Sequence, residues 1–319
     1  MQAMRLPAIW RKLRFPLLIA LALDLEISAE TISVSPAADT SIFSFNPGNN
    51  LGGLSNVPLG PINRDADAQG FFQQGRMLVR YDLSAQLPPG AQITGVRLRL
   101  SVVKESSGGA PLTVDLHRLL VPWAEGSAAG SSSGTAATSG QSSWQDRIKG
   151  TAAWSSPGAK AGTDYNTTFS GSTVVDNAGT YTVASTPELI ADVQAWIADP
   201  ASNQGWILLP RAPMIKGSAK RIFTREGGNG ATLELTYTLP PPPELRLDAK
   251  RIADGRIELH FHGEPGNIYE IQFASDPVVP VWQPLTNFIV KLQPAEPLAT
   301  DVTDLDHRFY RVAITGHVD

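Results

Sequence analysis

The chain has 319 residues, a formal net charge of −4 and no cysteine, with 42% hydrophobic and 18% charged residues. That length suits about two domains, and the composition can bury real cores. The weak negative charge offers no footprint for nucleic acid or an anionic membrane. The missing thiols exclude disulfides, thiolate catalysis, Cys-ligated zinc and iron–sulfur clusters.

The N-terminus reads as an export signal. Arg5, Arg11, Lys12 and Arg14 precede an apolar run from Phe15 to Leu23, and Ala29 is a small residue suited to cleavage. The run is far shorter than the ~20 residues that span a bilayer. The expectation is a signal peptide over residues 1–29, a mature chain from Glu30, and no membrane insertion after cleavage. Such a protein is secreted to the extracellular space or the cell surface.

From there the pattern is that of short strands. In "MLVRYDL" and "LTVDLHRLL" apolar and polar residues interleave, and "VRLRLSV" sets Val96, Leu98, Leu100 and Val102 against Arg97, Arg99 and Ser101. "NPGNNLGG" and "LPPGAQ" supply turns. Glu125 to Ser143, "EGSAAGSSSGTAATSGQSS", is too poor in apolar groups to offset the entropy of ordering it and is expected to be mobile.

"STPELIADVQAWIADP" predicts one helix. Thr186 can cap it, Pro187 suits its first turn, and Pro200 follows its end. Leu189, Val193 and Trp196 form an apolar stripe flanked by Ile190 and Ile197, which marks Trp196 as core. "GWILLP" reads as a strand buried on both faces, and "TLELTYTL" as one whose Leu233, Leu235, Tyr237 and Leu239 point inward. Pro240 to Glu244 is a stiff Pro-rich linker. Beyond it, "RIELHFHG", "YEIQFAS" and "HRFYRVAI" predict further strands in a small domain, residues 245–319. The fold class is all-β, a sandwich with one short helix followed by a second, smaller sandwich.

The pieces "AADTSIFSFNPGNNLGG", "GRMLVRYDLSAQLPPGAQITGVRLRLSV", "VPWAEGS", "IADVQAWIADPASNQGWILLP" and "AKRIFTREGGNGATLELTYT", in that order, resemble the bacterial DNRLRE-domain family over residues 30–239. The resemblance implies an exported jelly-roll module related to carbohydrate-binding modules. The chain departs from that pattern in the long Ser/Gly insertion after "WAEGS" and in Thr224 of "FTRE". The small domain more loosely resembles Ig-like or fibronectin-like repeats. In such families these domains bind, space or display, which implies a non-catalytic role and a polysaccharide or cell-envelope partner.

Two groups carry candidate chemistry. Asp39 and Glu226 flank strands that neighbour each other in a jelly roll, so their carboxylates could close a structural calcium site; the competing reading is an ion pair with Arg225 or Arg221. Trp123, Trp144 and Trp154 cluster near the Ser/Gly tract; exposed, they could stack on sugar rings, and buried in the same places they would be core. "NRDADAQG", with Asp65, Asp67 and Gly70, lacks the distal Glu of a calcium loop and reads as an acidic turn. "GSSSG" matches a nucleophile-elbow pattern without its strand–turn–helix context. The sequence therefore supports a surface or matrix component that binds polysaccharide, then a purely structural envelope module, then a polysaccharide-degrading enzyme.

Overall fold

In the computed structural model the described residues are 29–105, 109–240, 246–252, 256–263, 267–276, 278–289, 299–301 and 308–317. The proposed signal segment, Ala29 apart, and the linker beyond Pro240 lie outside them. The chain divides into two compact units between Pro240 and Pro241. No helix among the described residues is long and apolar enough to cross a membrane.

The first unit is an antiparallel sandwich. One layer contains β1 (Ala29–Val34), β5 (Gln92–Glu105), β8 (Gly179–Val183), β10 (Lys220–Phe223) and β11 (Thr232–Thr238). Facing it are β2 (Ala38–Phe43), β4 (Gln74–Arg80), β6 (Leu112–Arg118), β7 (Gly171–Val175) and β9 (Trp206–Pro210). β3 (Asn56–Pro61) pairs with β10 in one layer and, at Gly60 and Pro61, with β4 in the other, so the whole forms one curled sheet. Register follows the pleat: Val96, Leu98 and Leu100 of β5 are fully buried, the first two opposite Leu235 and Leu233 of β11. Leu239, expected to point inward, lies past the end of β11 and is exposed.

The single α-helix among the described residues, α1 (Pro187–Ala198), begins where expected. The Thr186 hydroxyl oxygen accepts from the Leu189 N–H at 3.1 Å. Leu189, Val193 and Trp196 are buried in the sandwich core, where Trp196 meets Trp206 with ring centroids 4.5 Å apart. In the middle of this apolar stripe sits Asp192. Its Oδ2 accepts from Ser170 Oγ at 2.5 Å and from Trp206 Nε1 at 2.8 Å, and Arg118 lies 3.6 Å from Oδ1. The helix is therefore fastened to the sheet by a buried acceptor as well as by apolar packing.

β9 has apolar partners on both sides. Trp206 and Leu208 face the sandwich core, and Ile207 joins Ile42 and Leu78 in a second cluster with Leu119, Trp123, Trp154 and Tyr165. That second cluster forms where a lobe of residues 119–170 packs on the outer surface of the β2–β4–β9 layer. Asp164 helps hold the lobe in shape: its Oδ2 accepts from the N–H groups of Ser155 (2.9 Å) and Lys160 (2.7 Å).

The Ser/Gly tract was expected to be mobile, yet it has a defined place within this lobe. Asn50 Nδ2 donates to the carbonyls of Glu125 (2.6 Å) and Ser142 (2.9 Å), and Asn49–Asn50 pair with Thr135–Ala136 as a short ladder. Polar side chains from elsewhere satisfy its backbone, so its order does not depend on apolar burial of its own.

The described residues of the second unit form two three-stranded antiparallel sheets. One joins β12 (Arg246–Arg251), β13 (Ile257–His262) and β16 (Ala299–Asp301); the other joins β14 (Asn267–Ala274), β15 (Gln283–Ile289) and β17 (Phe309–His317). Phe261 and Tyr269, one from each sheet, pack with ring centroids 4.7 Å apart and carry Leu247 and Val312 against them. Among the described residues both units are all-β apart from α1 and two short 3-10 turns.

Candidate functional site

Asp39 and Glu226 do meet, and Glu125 meets them. One carboxylate oxygen from each of the three lies within 4.8 Å of the other two. Asp39 sits on β2 with no exposed surface. Its Oδ2 accepts from the Arg225 backbone N–H at 3.0 Å, and its own N–H donates to Glu125 Oε1 at 2.7 Å. Asp39 Oδ1 is buried and without a hydrogen-bond partner.

The Arg225 guanidinium grips Glu125 through two bonds, Nε to Oε1 at 2.9 Å and Nη2 to Oε2 at 2.6 Å, and Nη2 lies 3.1 Å from Glu226 Oε1. Two of the acids, Glu125 and Glu226, thus share one guanidinium, while Asp39 meets the backbone of the same arginine. Burial pushes the Asp39 carboxyl up to about 7; the Arg225 N–H pulls it back, and the Glu226 and Glu125 charges push it further up. The fork to Glu125 raises Arg225 above its ordinary value.

An ion pair with Arg225, the competing reading for these acids, is present in the geometry. Arg221 turns elsewhere and donates to the Ser132 carbonyl at 3.0 Å. Glu125 is the member that sequence reasoning missed. Its signal is slight: it is the one charged residue at the head of an otherwise uncharged tract, residues 125–143.

The three tryptophans grouped as a stacking surface are separated by the fold, and this corrects two of them. Trp123 and Trp154 are buried at 3% and 4% exposure, with indole N–H groups donating to the carbonyls of Gln204 (2.8 Å) and Ser143 (2.9 Å). They belong to the second core because the 119–170 lobe folds back over the sheet, and rings so enclosed have no face for a sugar.

Trp144 alone is half-buried, and it lines a cleft of about 620 Å³ together with Phe71, Phe72, Asp67, Gln73 and Arg76. Asp67 shapes the rim of this cleft. Its Oδ1 accepts from the N–H groups of Gln69 (3.0 Å) and Phe71 (2.8 Å), while Gly70 closes the turn at φ 83°. That turn presents Phe71 to solvent at 65% exposure. Asp65 is paired with Lys216 at 2.5 Å. The "NRDADAQG" stretch is thus an acidic turn that displays an aromatic ring.

On the other side, the Arg76 guanidinium lies 5.0 Å from the Trp144 ring centroid and donates to the carbonyls of Gly158 and Ala159. Gly158, at φ 87°, comes so close that a Cβ there would sit 2.4 Å from the Trp144 ring. Trp144 is held firmly, with its orientation set by backbone contact. The arrangement offers ring-sized apolar surface beside an amide, a carboxylate and a guanidinium.

His117 is half-buried. Its Nδ1 lies 2.8 Å from the Asn166 carbonyl, and its ring meets Tyr165 and Phe169 edge-on. In the small unit, His260 lies 3.7 Å from Glu258, while the His262 side chain falls outside the described residues. No protein-family model matches the chain, and no curated protein matches it.

Proposed function

We propose that the chain is an exported, non-catalytic component of a bacterial surface or extracellular matrix that grips polysaccharide in the Trp144 cleft. The observation that carries this reading is the pairing of the displayed Phe71 ring and the fixed Trp144 ring with the polar groups of Asp67, Gln73 and Arg76. Sugar rings present apolar faces and hydroxyl edges, and such a cleft can meet both. The likeness to DNRLRE-domain modules rests on the order of the sequence pieces, and an all-β sandwich is compatible with it. The second unit then serves as a spacer with an Ig-like or fibronectin-like arrangement.

A non-catalytic role is supported by the state of the converging carboxylates. Asp39 is sealed from solvent, and both Glu125 oxygens are held by Arg225. A pair of acids working on a glycosidic bond must instead flank an accessible substrate. A purely structural or assembly role is favoured by a different feature, the run Val278, Val279 and Val281 on the small unit, exposed at 84%, 72% and 74%. An apolar run of that kind suits contact with another protein.

A glycan array with the purified chain, followed by titration of any hit, tests the first reading. Phe71 is exposed, so Phe71→Ala leaves the fold intact and should weaken binding about two- to tenfold, the worth of one aromatic contact. Silence across a broad panel, or a hit indifferent to Phe71→Ala, removes the cleft as the binding site. Silence together with self-association that is lost when the valines become serine would establish the assembly role.

A further inference from the structure

We infer that Asp39, Glu125 and Glu226 form a calcium-binding site in which the Arg225 guanidinium is the resident counter-charge that the ion displaces. The site shares no residue with the Trp144 cleft, and its test needs no sugar.

Three observations converge. The first is the orphaned oxygen: Asp39 has no exposed surface, yet Oδ1 has no donor. A buried carboxylate oxygen without a donor is costly, and a cation satisfies it directly. The second is spacing. Calcium–oxygen bonds of about 2.3–2.6 Å put two ligands of one ion no more than about 5 Å apart. The three carboxylates offer oxygens within 4.8 Å of one another. An all-oxygen, all-carboxylate donor set selects a hard cation, and water can complete the six to eight ligands calcium takes. The third is charge: three acids gather at one guanidinium, which pairs only with Glu125 and Glu226, and this leaves negative charge for a divalent ion to neutralise.

Arg225 has somewhere to go. Its side chain is 43% exposed, and it lines a polar cavity of about 360 Å³ with Ser33, Ser101, Thr232 and Glu234. Its fork to Glu125 competes with the ion for the same oxygens. Because Asp39, Glu125 and Glu226 are drawn from β2, the head of the Ser/Gly tract and the turn between β10 and β11, an ion here ties three remote parts of the chain together. For a chain without disulfides that is a reversible cross-link, strongest where calcium is plentiful.

The decisive measurement is calorimetric titration of calcium into the chelator-treated full chain, paired with melting temperature. Wild type should bind one calcium, with a dissociation constant between about 0.1 and 1 mM as in extracellular modules, and should melt higher in about 10 mM calcium. Glu226→Gln should weaken binding at least tenfold. Arg225→Gln, checked by circular dichroism for a retained fold, should melt lower in chelator and yet bind calcium about tenfold more tightly. That opposite pair of effects is what displacement requires. A plain ion cluster gives the contrary: no heat and no melting shift in wild type at any calcium concentration up to the same ceiling, which overturns the proposal. Tighter binding should also be absent if Arg225 supports the site, so unchanged or weaker binding in Arg225→Gln overturns the displacement. An equal shift with magnesium, which demands a tight octahedral cage, overturns the assignment to calcium. If Arg225→Gln fails to fold, the wild-type and Glu226→Gln titrations decide the matter.

Discussion

Replacing Asp192 by alanine should cost the large unit about 2–5 kcal/mol, from what the carboxylate holds. Trp206 has no exposed surface, so its Nε1–H, now bonded at 2.8 Å, would be left without an acceptor in the core. An orphaned buried donor costs about 1–3 kcal/mol. The Ser170 hydroxyl, bonded at 2.5 Å, and Arg118, 3.6 Å away, lose their partner too, although the hydroxyl can rotate and Arg118 keeps Ser202. These add roughly 1–2 kcal/mol. Asp192→Asn retains an acceptor for the indole while turning an NH2 toward other donors, so it should fall between the two. Urea denaturation followed by tryptophan fluorescence gives the ranking, since Trp196 and Trp206 pack beside the substituted residue. A loss below about 1 kcal/mol for the alanine variant would refute the view that a buried acceptor fastens α1, leaving apolar packing as sufficient.

Further outcomes concern other contacts. Gly158→Ala, by placing a Cβ 2.4 Å from the Trp144 ring at φ 87°, should destabilise by about 1–3 kcal/mol and shift the fluorescence of that indole; an unchanged spectrum and midpoint would mean the ring is free to move. Asn50→Ala removes the donor to Glu125 and Ser142 and should make residues 125–143 the first site of limited proteolysis, whereas a wild-type digestion pattern would place the restraint elsewhere. His117 is held below its ordinary 6.5 by burial, opposed by the Asn166 and Thr168 backbone and by Asp115, with Arg211 assisting. Its folded value is depressed, so its contribution to stability is complete above about pH 6.5 and falls away as acid protonates the ring. Asp39, pushed up to about 7, titrates over the same range with the opposite sign, so the His117 loss is read as the difference between wild type and His117→Gln: wild type should lose melting temperature relative to the variant as pH falls below about 6.5, and parallel curves would exclude the residue as the source.

How much of this could be read in the sequence depended on whether a signal was local. The helix was legible because its cap, its proline and its stripe lie close together in the chain, and each has a direct physical meaning. "GWILLP" was legible as a strand covered on both faces because an unbroken apolar run has no solvent side. The burial of Trp123 and Trp154 was not legible: what covers them is a lobe of turns with no period, packed against β4 and β9 through contacts with residues far away in the chain. Asp39 and Glu226 meet by a different route from the strand neighbourhood expected of them: β2 pairs with β4 in the layer facing β10 and β11, and the turn that carries Glu226 reaches Asp39 through the Arg225 N–H. Glu125 arrives through a tract whose composition says only that it is polar, and its placement depends on Asn50. Asp192 lies inside the helix's apolar stripe, but nothing local announces its role, because its indole partner lies on another strand.

The layer of β2, β4 and β9 acts as a party wall. Neighbouring residues such as Ile207 and Leu208 furnish different rooms, so this wall is finished on both sides. Excising residues 119–170 as though they were a dispensable loop would leave Ile42, Leu78 and Ile207 wet, at about 1.5–3 kcal/mol apiece. What looks in the chain like an insertion is, in energetic terms, part of the masonry, and a shortened version would forfeit much of the margin that keeps the whole unit standing.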